Sequence, residues 1–202
     1  MKLYYTPGTC STAPRILFAE AGIACEQEAV SFKTRQTASG ADYLKINPNG
    51  YVPALQLDDG TILTEGPAID QYIADLAPNS KLAPANGTPE RYKLQSWLNY
   101  IATELHKGGY SPLFDRGAPE EWKEAVRAKL SKRLAYVDAA LADTPYLLGN
   151  DFGAADAYRF VVLGWSGLVN VDLTPFDKLN AFVERVAARP SVQAVKAADA
   201  KK

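Results

Sequence analysis

The chain has 202 residues, 47% apolar and 22% charged, with a formal net charge of -1, so it can bury a sizeable core as one large domain or two small ones. That balance excludes a phosphate-backbone surface, which needs clustered cations, and no Lys/Arg run goes beyond a pair such as the terminal Lys201 and Lys202. No apolar run is long enough to span a bilayer and the opening MKLYY has no signal-peptide pattern, so a cytoplasmic protein with neither a nucleic-acid nor a membrane partner is expected.

Residues 2–6, KLYYT, read as a strand that Pro7 and Gly8 break. Ser11 and Thr12 are cap residues and Pro14 suits a first helical turn, so a helix is predicted over 13–22, closed by Gly22. Cys10 then stands at or just before a helix N-terminus, where unsatisfied N–H groups favour an anion, either its own thiolate or a bound ligand. A free Cys is otherwise a small buried hydrophobe. Cys25 lies fifteen positions on, neither a C-x-x-C pair nor a metal-ligand spacing, so free thiols in a reducing compartment are expected.

The alternating CEQEAVSF, 25–32, completes a βαβ opening. After a short helical stretch within 39–50, residues 52–57 and 61–64 read as strands joined by a two-residue Asp-Gly hairpin turn. A helix over 66–77 ends before Pro78. One mixed sheet of four strands with helices accommodates this order.

The stretch 77–89, APNSKLAPANGTP, has no period and reads as an interdomain linker. Everything after it is helical in pattern. Leu94, Trp97, Leu98, Ile101 and Leu105 recur on one helix face, and Trp122, Val126, Leu130, Leu134, Val137 and Leu141 on another. AADAYRFVVLGW, 154–165, is apolar almost all round and belongs at the centre of the helical part. Two more short helices begin near TPFDKL and RPSVQAV.

His106 is the sole histidine. Projected at about 100° per residue it joins Gln95 and Asn99 on a polar flank, which either faces water or faces the first domain across a cleft, where an imidazole can steady a thiolate. One His without a carboxylate or Cys cluster gives too few ligands for a metal. Pro53 begins a strand and can be preceded by a cis bond; such a kink turns the N–H and C=O of Val52 outward, able to pair with an extended peptide, or else Pro53 only protects an edge. Glu65 and Gly66 occupy the mouth of the helix that Pro67 starts, where N–H groups can hold a carboxylate and Glu65 can pair with an ammonium; a plain helix cap is the other reading.

Five stretches in order, YYTPGTCS, NPNGYVPAL, LTEGPAI, QSWLNYIATELHK and AADAYRFVVLGW, resemble the cytosolic glutathione transferases, most closely the bacterial beta class, over nearly the whole chain. The resemblance implies an α/β thioredoxin-like N-terminal domain (1–80), a linker (81–89), an all-α C-terminal helical bundle (90–202) and a homodimer. It implies glutathione as co-substrate, without a metal, and a small hydrophobic electrophile as second substrate. By resemblance Cys10, Ser11 and His106 are catalytic, stabilising the glutathione thiolate, and Cys10 can form a mixed disulfide with it. Glu65 and Gly66 take the γ-glutamyl end, Val52, before Pro53, pairs with the cysteinyl backbone, and Arg35 reaches the glycyl carboxylate. Asn99 and the Thr103 to His106 turn close the site, with Glu104 serving the neighbouring subunit. Tyr110 and Trp165 are the candidates for the electrophile pocket, with ordinary core packing as their other reading.

Three positions depart from the family pattern. Arg35 stands where Lys is usual, Gly153 where relatives often cap a helix with Ser or Thr, and Gly66 where many have Ser, which removes one donor to the γ-glutamyl carboxylate. Conjugation of glutathione to electrophiles, including halogenated aromatics, is the leading reading. Glutaredoxin-like exchange through the single thiol of Cys10 and non-catalytic carriage of apolar ligands are the alternatives.

Overall fold

The computed structural model describes residues 1–200; Lys201 and Lys202 lie outside the described residues. Strand β1 (Lys2–Tyr5) runs parallel to β2 (Glu26–Ser31), and α1 (Thr12–Ala21) makes the crossover between them. Gly22 ends α1 at φ 66°, and the Ile23 N–H closes back on the Phe18 carbonyl at 3.1 Å, a left-handed stop that a β-carbon would strain. On the other side of β1 lies antiparallel β4 (Ala54–Gln56), followed by antiparallel β5 (Ile62–Thr64). Helix α2 (Gly66–Leu76) packs beside α1.

With β3 (Gln36–Thr37) the sheet has five strands, in the order β3-β2-β1-β4-β5, not the expected four. The added β3 folds back on β2 through a turn in which Arg35 takes φ 56°. Gly or Asn signals such a conformation in a sequence, and SFKTR has neither, so the hairpin leaves no mark. The β4–β5 turn also differs. It holds three residues, Asp58, Asp59 and Gly60, with the Leu57 N–H donating to the Thr61 carbonyl at 2.8 Å and Gly60 at φ 87°.

Helix α3 (Pro89–Tyr100) starts at Thr88, whose Oγ1 accepts from the Arg91 N–H at 3.2 Å. It continues into a π-helical segment, Ile101–Tyr110, and one last α turn, α4 (Ser111–Leu113). Helix α5 (Glu120–Ala139) buries Leu130, Leu134 and Val137. Trp122, read as the start of that stripe, is instead 45% exposed: it stands in the first turn, ahead of Val126, where contact with the core begins. Every residue of α6 (Ala154–Leu163) is buried, and α7 (Asp177–Ala187) and α8 (Pro190–Ala200) complete the bundle.

One apolar cluster runs from Leu3 and Leu55 of the sheet, through Ile16 and Ile69, to Leu98, Leu134, Val162 and Phe182 of the helices. Arg15, buried in α1, donates to Gln27 of β2 at 2.8 Å and to Asp199 of α8 at 2.7 Å. A shared core and these ties fix the sheet and the helices relative to each other, which a cleft between them requires.

Candidate active site

The first turn of α1 opens with Thr12 N–H to Thr9 O (3.0 Å) and Ala13 N–H to Cys10 O (3.1 Å), so Cys10 does stand at the helix mouth. Its Sγ–H donates to the Val52 carbonyl at 3.3 Å. Burial pushes the thiol up to about 11, against the pull of Lys107 and helped by Asp70. Cys10 is therefore a neutral thiol and a hydrogen-bond donor at neutral pH; the helix terminus does not make it a thiolate, because desolvation outweighs the terminus.

Ser11, expected as a catalytic hydroxyl, is fully buried and turned away. Its Oγ accepts from the Thr6 N–H at 3.0 Å, donates to the Thr6 carbonyl at 3.1 Å and lies 2.7 Å from Thr9 Oγ1. It braces the loop under Cys10.

His106 is buried, with Nδ1 2.6 Å from the Tyr158 hydroxyl and its ring 4.9 Å from Trp165, edge to face. Burial, with Lys107 adding to it, lowers its pKa to about 4, so the imidazole is neutral. The water-facing alternative for this residue is thereby overturned. Gln95 does face the first domain, donating to Gln71 of α2 at 3.2 Å, whereas Asn99 is exposed. A projection at the α period fails beyond Ile101 because π-type i→i+5 bonding widens the helix and re-aims the side chains. Two glycines permit it: a β-carbon on Gly108 would lie 2.6 Å from the Thr103 carbonyl, and one on Gly109 2.7 Å from Leu130 Cδ1.

The Val52–Pro53 peptide is cis. The Val52 carbonyl is turned to Cys10, and its N–H makes no hydrogen bond among the described residues. Glu65 holds φ 68° at the head of α2, a sparsely populated conformation for a residue with a side chain. A β-carbon on Gly66 would meet nothing nearer than Pro53 Cγ at 3.9 Å, so space does not explain the missing Ser hydroxyl.

Two cavities meet at these residues. A smaller one of 120 Å³ is lined by Pro53, Asn49, Thr64, Glu65, Gly66 and Tyr158. A larger one of 470 Å³ is lined by Phe32, Phe114, Trp165 and Leu168. Cys10, Tyr51, Val52, His106 and Lys107 line both.

Several expected residues lie elsewhere. The Arg35 guanidinium donates to the Gly50 carbonyl at 2.8 Å and lines neither cavity, since the left-handed turn at Arg35 directs it to the Asn47–Gly50 loop. Thr103 is exposed and bonds back to the Asn99 carbonyl at 3.0 Å, and Glu104 is ion-paired with Arg133 at 2.5 Å; with Asn99, they face away from both cavities of this subunit. Tyr110 is a core residue: fully buried behind Trp165, its hydroxyl lies 2.6 Å from Ser166 Oγ. Trp165 does line the larger cavity, and its Nε1–H donates to the Gly8 carbonyl at 2.8 Å. Sequence reasoning missed Lys107, Tyr51, Tyr158 and Phe114. Lys107 Nζ sits 4.7 Å from the centre of the Tyr51 ring, bridging the two walls of the cleft. Tyr51 and Phe114 are loop or helix-end residues outside any period, which leaves them without a sequence signal.

Two family models match the chain: glutathione S-transferase, N-terminal domain, over residues 1–75, and glutathione S-transferase, C-terminal domain, over residues 93–190. The chain belongs to the glutathione S-transferase family. As a glutathione transferase it has the thioredoxin-like and all-helical halves of that fold, and glutathione as co-substrate. It is 50% identical over 194 residues to glutathione S-transferase GstA of Escherichia coli O157:H7, covering 96% of each chain. Among solved structures it resembles BphK, a bacterial transferase described as a ternary complex, at a TM-score of 0.96 and 55% identity over 99% of this chain and all of that one. A sphingomonad glutathione S-transferase complexed with glutathione matches at TM-score 0.95 and 42% identity, over 99% of both chains. The bacterial beta class glutathione S-transferase of Sphingomonas chungbukensis matches at TM-score 0.93 and 44% identity over 98% of both chains. Among the described residues, no helix is long and apolar enough to cross a membrane and no side-chain group is arranged to hold a metal.

Proposed function

We propose that glutathione lies in the smaller cavity, at the head of α2, and an apolar electrophile in the larger one, with sulfur and carbon meeting beside Cys10 and His106. The observation that carries this reading is that five residues, Cys10, Tyr51, Val52, His106 and Lys107, line both cavities: a substitution between two substrates needs one shared boundary. Residues 1–80 supply the glutathione side, 81–89 link, and the helical unit from residue 90 supplies the electrophile side. Glu65 and Gly66 at the head of α2 take the γ-glutamyl end, and the Val52 N–H pairs with the cysteinyl backbone.

The thiol of glutathione loses its proton to solvent. Its sulfur then forms a bond to the electrophilic carbon, and where that carbon bears a halogen the carbon–halogen bond breaks and halide leaves with the electron pair. Around the sulfur, Cys10 offers S–H, and Lys107 supplies a positive charge to the developing thiolate. If the Tyr158 hydroxyl, 2.6 Å away, donates to Nδ1, the neutral His106 carries its proton on Nε2 and is a further donor. A homodimer fits the aromatic cluster of Trp97, Tyr100 and Tyr136 on the outer faces of α3 and α5, where Tyr136 is 57% exposed. The high pKa of Cys10 weighs against disulfide exchange as the principal activity.

The test is steady-state conjugation of glutathione to chlorodinitrobenzene by the wild type and Cys10→Ala. Turnover saturable in both substrates that persists in Cys10→Ala is expected. Loss of all turnover in the variant, with glutathione-linked disulfide reduction lost beside it, would instead make Cys10 the nucleophile; no wild-type turnover at all would leave a ligand carrier.

A further inference from the structure

We propose that the electrophile cavity continues past a ridge at Trp165 and Leu168 into a second apolar chamber, which holds the apolar arm of long electrophiles and presents Lys196 to an anionic group at the arm's end. This rests on the proposed two-substrate reading of the cleft and adds the substrate class. The chamber, 370 Å³, lies among α1, α6, α7 and α8 and is lined by Ile16, Val161, Val183, Val192 and Val195. Gly8, Trp165 and Leu168 line both it and the electrophile cavity. Between the two stands the Trp165 indole, held by its 2.8 Å hydrogen bond to the Gly8 carbonyl, and Leu168 borders both as well. Leu168 is 73% exposed and borders both chambers, so its side chain offers apolar surface to each.

Charge identifies the far end of the ligand. Two ionised side chains border the second chamber, Lys196 and Asp199. The Asp199 carboxylate is already engaged by buried Arg15 at 2.7 Å. Lys196 Nζ lies 5.9 Å from the Phe160 ring centre, and among the described residues no carboxylate is within ion-pair distance of it. The chamber therefore offers an apolar floor and one uncommitted cation, which suits an apolar arm ending in a carboxylate.

Competition against chlorodinitrobenzene conjugation tests this with three probes: S-methylglutathione, S-dodecylglutathione and S-(carboxyundecyl)glutathione. The long conjugates should bind the wild type at least about tenfold more tightly than the S-methyl one, since several methylenes become buried. Val183→Trp, which fills the chamber, should erase that advantage, with the S-methyl constant reporting that the cleft is still formed. Lys196→Met should weaken the carboxylate probe alone by about threefold, the scale of an exposed ion pair, and Lys196→Arg should restore it. A length advantage that survives Val183→Trp would put the arm on Phe32 and Phe114 or on a second copy and overturn the proposal. So would a Lys196→Met effect that is absent or equal for both long probes. Failure of the underlying reading has a different signature: no conjugation to inhibit, or no competition by any of the three.

Discussion

Cys10 shows how two local effects on one atom are weighed. The α1 terminus, through the N–H groups of Cys10 and Ser11, and the Lys107 ammonium pull its pKa down, while burial and Asp70 push it up, and burial wins to give about 11. Alkylation by iodoacetamide, followed residue by residue with mass spectrometry, should then give Cys10 a rate midpoint near 11 in the ligand-free protein. Lys107→Ala should move that midpoint higher still; a midpoint at or below the ordinary thiol value would show that the terminus dominates. The contrast with Ser11 marks what was legible at this scale. Cys10, Val52, Glu65 and Gly66 were visible because Pro, Gly and helix-start chemistry mark where backbone groups are left open. Ser11 carries the same local signal, but its hydroxyl direction is set by Thr6 and Thr9, a loop geometry that has no sequence code. Arg35 and Tyr110, which line neither cavity, are placed by a related effect: reach and burial depend on tertiary neighbours, Gly50 for one and Ser166 for the other.

At the scale of elements, hydrophobic period located α3, α5 and α6 because each buries a stripe or, for α6, its whole surface. It was blind wherever the backbone leaves its standard period. The fifth strand follows a turn without Gly or Asn, and the π segment follows Ile101 with apolar residues still in α-like spacing. Gly153 reads as a weak cap in sequence, yet the Ala154 N–H is satisfied by the Leu82 carbonyl at 2.9 Å, and a β-carbon on Gly153 would sit 2.9 Å from that same oxygen. The Leu82 carbonyl supplies the cap that the side chain lacks. Gly109 allows a sharper test, because its missing β-carbon makes room for Leu130 of α5 and for the Glu104 carbonyl. Gly109→Ala should cost about 1–3 kcal/mol in urea unfolding, the usual scale of overpacking, despite alanine's higher helix propensity. It should also lower kcat for chlorodinitrobenzene, since His106 and Lys107 ride on the same segment. Gly117→Ala, where the nearest atom is Asp115 Oδ1 at 3.5 Å, is the control and should change neither. A stabilised Gly109→Ala would mean that the π geometry is not set by this contact.

Sheet and helices share one core, so a fault buried at their junction is a fault in the stability of the whole molecule. Asp70 is such a fault. It lies on α2, which packs against both α1 and α6, it is fully buried, and neither carboxylate oxygen has a hydrogen-bond partner. Burial raises its pKa well above the ordinary 3.8, so the folded protein holds it as the neutral acid. Because the folded value is raised, its pH-dependent contribution is fully present below 3.8 and is lost as pH climbs, when the unfolded chain gains by ionising. His106 acts in the opposite sense: its folded pKa is lowered to about 4, so stability falls as pH drops from its ordinary 6.5 towards that value. Comparing Asp70→Leu with wild type at each pH cancels the His106 contribution and isolates the carboxyl. Leucine keeps the branching at Cγ and asks for no partner, so at neutral pH the variant should be more stable by about 1–3 kcal/mol, the cost of an unsatisfied buried polar group. Near about pH 4, where the unfolded chain no longer gains much by ionising, the gain should shrink. Urea midpoints at the two pH values decide the matter, and a variant less stable at both would mean that Asp70 has a buried partner whose loss outweighs the relief.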